Sequence, residues 1–91
     1  MAKVYFIGLD IARNVFQVFS ADGQGKKLGN RKMHRQAALE YFTRLQPCTV
    51  GIEACGTAHY WARTLTEMGY AVKLINPQDV KKFLGNRNKT D

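Results

Sequence analysis

Short β-rich apolar runs alternate with longer stretches of helical spacing, and that alternation sets the expected order of elements. Lys3 to Leu9 (KVYFIGL) is apolar on both parities, as suits a central strand covered on both faces. Asn14 to Ser20 (NVFQVFS), rich in Val and Phe, is predicted to be a second strand. The link between them is too short for a helical crossover, so the two should pair antiparallel. ADGQG follows, with Asp22-Gly23 as its turn signal. Lys26 to Met33 reads as a third strand, polar and basic, of a kind suited to an exposed edge.

Helical spacing begins at Arg35. From there to Leu45, Ala38, Phe42 and Leu45 share one face, and Gln46-Pro47 ends the segment. Cys48 to Glu53 (CTVGIE) is predicted as a fourth strand. Thr57 to Met68 is predicted as a helix, with Thr57 as N-cap, Gly69 closing it, and Trp61, Leu65 and Met68 as an inward stripe that core packing explains. Tyr70 to Ile75 is a fifth strand. Asn76-Pro77 opens a third helix, with Asp79 in its first turn, Val80, Phe83 and Leu84 facing inward and Gly85 at its end. The order β-β-β-α-β-α-β-α implies one α/β domain. Its mixed five-stranded sheet should run 3-2-1-4-5, with helices on its faces. The stop at Asp91, with no closing element, reads as a fragment of something longer.

Length and composition narrow this picture without changing it. With 91 residues, one small domain is the limit, and 45% hydrophobic with 23% charged residues is ordinary for a folded chain. No apolar run approaches the roughly 18–20 residues of a membrane span. MAKVYFIGLD is no signal peptide, so a cytoplasmic protein without a membrane partner is expected. Cys48 and Cys55 fit no C-x-x-C spacing and read as reduced core residues. The net charge of +7 does alter the expectation, because it favours a polyanionic partner. Lys26, Lys27, Arg31, Lys32 and Arg35 form one basic cluster. Lys81, Lys82, Arg87 and Lys89 form another, a candidate contact to nucleic-acid phosphates.

The candidate chemistry lies in two carboxylates. Asp10 ends the first apolar run and Glu53 the fourth. A right-handed crossover puts those strands side by side and parallel, so both acids fall where open α/β sheets form their binding crevice. Adjacent carboxylates repel unless one is protonated or a cation sits between them, and oxygen ligands of this kind suit Mg²⁺. A solvated or helix-capping acid is the bland alternative. His34 and His59 lack metal-ligand spacing, and no Walker-type loop or nucleophile elbow is present.

GLDIARNVFQVFSADGQ resembles the opening of a ribonuclease H-like, RuvC-type nuclease domain. GIEACGTAHYWARTLTEMGYAVKLINPQDVKKFLGNRNKTD resembles the DEDD-type insertion-sequence transposases, which act as bridge-RNA-guided DNA recombinases. The resemblance covers residues 1–91. It implies that Asp10, Glu53 and Asp91 are catalytic acids holding Mg²⁺ or Mn²⁺, with a fourth acid three residues past Asp91. It also implies DNA and a structured guide RNA as partners, in a bacterial or archaeal protein whose remainder supplies a nucleophilic serine. On that expectation the domain is cut before its last acid and inactive alone. Apolar surface so exposed would favour self-association, and a homo-oligomer is expected. Two other readings remain. An actin- or sugar-kinase-like ATPase would need a Gly- and hydroxyl-bearing turn after Asp10, where Ile11-Ala12-Arg13-Asn14 stands. A nucleic-acid-binding module with no chemistry is the other.

Overall fold

A computed structural model describes residues 3–12, 14–53 and 56–76. The described elements are β1 (Phe6–Ala12), β2 (Val15–Ala21), β3 (Lys27–His34), α1 (Arg35–Arg44), β4 (Thr49–Glu53), α2 (Ala58–Glu67) and β5 (Ala71–Ile75). They form a mixed α/β unit whose five-stranded sheet has the expected order β3-β2-β1-β4-β5. β1 pairs antiparallel with β2 and parallel with β4, and β4 pairs parallel with β5. The third helix predicted from Pro77 lies outside the described residues, as do Cys55, Lys81, Lys82, Arg87, Lys89 and Asp91.

The first strand differs from expectation. It runs to Ala12 instead of ending before Asp10, because the β1–β2 ladder continues through Asp10↔Gln17 and Ile11↔Phe16 to Ala12↔Val15. The tight reversal carries pairing past the acid. Asp10 is therefore fixed by a strand on one side at least, not left on a loop.

Alternation along the paired strands separates two faces. Ile7 and Leu9 of β1, Phe16 and Val18 of β2, Met33 of β3, and Val50 and Ile52 of β4 all fall on one of them. They join Ala38 and Phe42 of α1 and Ala58, Trp61 and Leu65 of α2 in a single core cluster. Both described helices thus cover the same face. Aromatic edges lock the layer: Phe16 meets Trp61 at 4.8 Å between ring centroids, and Phe42 meets Tyr70 at 5.4 Å. Tyr70 Oη donates a 2.7 Å bond to the Phe42 carbonyl, tying the start of β5 to the end of α1.

Turns and ends follow local chemistry. The β2–β3 turn is organised by Asp22, whose carboxylate accepts from the Gln24 and Lys26 N–H groups, both at 2.9 Å. The left-handed residue there is Gly25 (φ 85°), not the Gly23 of the Asp-Gly signal. Gly69 has φ 100° just after α2, as a helix-ending glycine should. Thr57 occupies the N-cap position of α2 without a side-chain capping bond. Cys48 is half-buried against the core instead of within it, and burial pushes its thiol up to about 11.

Candidate functional site

The β1–β4 register pairs Phe6 with Thr49, Ile7 with Val50, Gly8 with Gly51 and Leu9 with Ile52. One further step brings Asp10 beside Glu53, at the carboxyl ends of two central parallel strands. By parity, both acids project from the face opposite the helices, since Leu9 and Ile52 point into the core. The two carboxyl groups lie close enough to act on each other. A hydrogen bond with Asp10, then desolvation, then the Asp10 charge raise the Glu53 carboxyl above its ordinary value. Two like charges held this close favour the protonated form of one of them, or a cation between them.

The donors are hard oxygens on rigid strands, a set that fits Mg²⁺ or Mn²⁺. Among the described residues, no group of three or more His, Cys, Asp or Glu side chains gathers as a metal site. The third acid expected from the resemblance, Asp91, lies outside those residues. His34 and His59 are exposed and join neither acid.

The first basic cluster does not become one patch. Arg31 pairs with Val18, and so projects from the helix-covered face, where its guanidinium lies 5.9 Å from the centre of the Tyr41 ring. Lys32 pairs with Gln17 and projects from the other face. Arg35 opens α1 and reaches across to α2, with its guanidinium 5.6 Å from the Tyr60 ring centre and 5.7 Å from that of Trp61. Sequence reasoning gave Arg35 charge alone and Trp61 packing alone. Their meeting joins positions on two helices, and no local spacing signals it.

No family model matches the chain, and no solved structure does. A probable family 20 transposase of Pseudomonas aeruginosa is 47% identical over 78 residues, which is 86% of this chain and 23% of that protein. The transposase for insertion sequence element IS1111A of Coxiella burnetii is 37% identical over 91 residues, covering 100% of this chain and 25% of that protein. That for element IS1328 of Yersinia enterocolitica is 34% identical over 91 residues, again 100% of this chain and 27% of that protein. The chain spans about a quarter of the length of the curated relatives it matches. Over that span, it is similar to bacterial insertion-sequence transposases.

Proposed function

We propose that this chain is the ribonuclease H-like, RuvC-type part of a DEDD-type transposase that cuts and exchanges DNA strands with a divalent metal. The observation that carries the proposal is the Asp10–Glu53 pair: two acids brought side by side at the carboxyl ends of adjacent parallel strands, on a chain of net charge +7. Asp10 and Glu53, with Asp91, would hold Mg²⁺ or Mn²⁺. Bound there, the metal supplies charge stabilisation for the attacking and leaving oxygens of a scissile phosphate. The strands contribute positioning, since both acids are anchored by backbone pairing in the middle of the sheet. Lys81, Lys82, Arg87 and Lys89 are proposed phosphate contacts on the basis of their charge. DNA as substrate, a structured guide RNA, a homo-oligomer and a nucleophilic serine elsewhere in the larger protein belong to the same proposal.

The test is cleavage of DNA by the full-length protein in Mg²⁺. Asp10→Asn and Glu53→Gln should each reduce cleavage to background while DNA binding persists. Undiminished cleavage by either variant would sink the reading. On the 91-residue chain, Mg²⁺ titration followed by NMR should perturb residues around Asp10 and Glu53, and should do so more weakly as the pH is lowered, because Asp10 raises the Glu53 carboxyl and protons then compete with the metal.

A further inference from the structure

A cavity of about 250 Å³ opens between the start of α1, the start of α2 and the carboxyl end of β1. Ile11, Asn14, Phe16, Arg35, Tyr60 and Trp61 are among the residues that line it. Ile11 follows Asp10 directly and, like Phe16 with which it pairs, belongs to the opposite face. The cavity therefore lies on the other side of the same sheet end as the carboxylate pair. We propose that it binds one unpaired nucleotide of a nucleic-acid strand passing over this end of the sheet. The base stacks on the Arg35–Tyr60 pair, and the Arg35 guanidinium meets the phosphate. This rests on the reading of the chain as a domain that acts on nucleic acid.

Several observations support it. The volume lies just under the roughly 300–1,000 Å³ of drug-sized sites, which suits one planar ring system better than a longer segment. The recognition surface is a cation on aromatic rings, and unpaired bases stack on rings and on guanidinium planes alike. That stack faces solvent, since Arg35 is exposed and Tyr60 is 47% exposed. Tyr60 Oη accepts one Arg35 N–H at 3.4 Å, from a group that carries five such donors. Asn14 brings an amide with both donor and acceptor to the rim, able to read a base edge. None of the described lining residues is acidic.

Trp61 lines the cavity and is the one tryptophan of the sequence, so its fluorescence reports on this place alone. The 91-residue chain is titrated with five-nucleotide deoxyribo- and ribo-oligonucleotides and, separately, with inorganic phosphate. Oligonucleotide should quench Trp61 saturably and inorganic phosphate should not. Whichever sugar binds more tightly identifies DNA or RNA as the source of the nucleotide. Tyr60→Ala should weaken binding about tenfold or more, and Tyr60→Phe should leave it nearly intact. Arg35→Gln should weaken it and flatten its salt dependence. Oligonucleotide bound by anisotropy without a Trp61 response, or with unchanged affinity in Tyr60→Ala, would overturn the pocket and leave the metal-dependent reading standing. Quenching by phosphate equal to that by oligonucleotide would overturn the stacked base. Loss of cleavage in Asp10→Asn bears on the carboxylates alone.

Discussion

Consecutive residues of β1 serve opposite faces, and the two faces obey different rules. Ile7 and Leu9 enter a cluster closed by two helices, in which each side chain is satisfied by other parts of the fold. Gly8 and Asp10 face the other way, beside Gly51 and Glu53. There the two carboxylates lie side by side, and Asp10 raises the Glu53 carboxyl above its ordinary value. One face stores stability, while the other holds groups arranged at some cost to it. A shift of one residue along the strand separates structural from chemical consequences.

Substitution on the two faces should therefore give opposite signatures. The largest effect is expected inside the cluster. Phe42→Ala removes a ring that is 1% exposed and packs on Tyr70. It should cost about 3–5 kcal/mol in urea unfolding, enough to leave much of so small a chain unfolded. At the rim, Gly69→Ala forces a side chain into φ 100°, where its Cβ would also lie 3.4 Å from Pro47 Cγ. A loss of about 1–2 kcal/mol is expected, read from the thermal midpoint. Tyr70→Phe should cost about 0.5–1.5 kcal/mol by the same measurement, for the bond to the Phe42 carbonyl.

The smallest effect, and the one of reversed sense, belongs to the carboxylates. The folded Glu53 carboxyl is raised, so the folded state binds its proton more tightly than the unfolded chain does. That contribution is present below the ordinary carboxylate range and is lost as pH rises through the raised value. Urea midpoints measured across this window should decline with pH in the native chain and decline less in Asp10→Asn. Asp10→Asn should also be no less stable than the parent near neutral pH. A clear loss of stability there would erase the contrast between the faces.

The layout was legible wherever periodicity and burial agree. Ala38 and Phe42 announced the buried face of α1, and four β-rich apolar runs with one basic, edge-like stretch gave five strands in their spatial order. Strand ends were less legible. The extension of β1 past Asp10 depends on a ladder with β2, and an acid in an apolar run looks like a boundary when the partner strand is unknown. The proximity of Asp10 to Glu53 could be inferred, because a right-handed crossover leaves few places for the fourth strand. The meeting of Arg35 with Tyr60 and Trp61 could not. It depends on how two helices seat on the sheet, and each residue taken alone has an adequate ordinary explanation.

The pairing of β1 with β4 also bears on the order of assembly. β1, β2 and β3 meet through short turns, whereas β4 joins β1 only after a long stretch of intervening chain has been closed into a loop. The three-stranded meander should therefore form early, with β4 docking late and completing the carboxylate pair as one of the last events. In folding kinetics, Val18→Ala should slow refolding, whereas Ile52→Ala should mainly speed unfolding. A chain still emerging from the ribosome would carry Asp10 on a formed sheet well before Glu53 arrived, so the two acids would come together only once the fold was nearly complete.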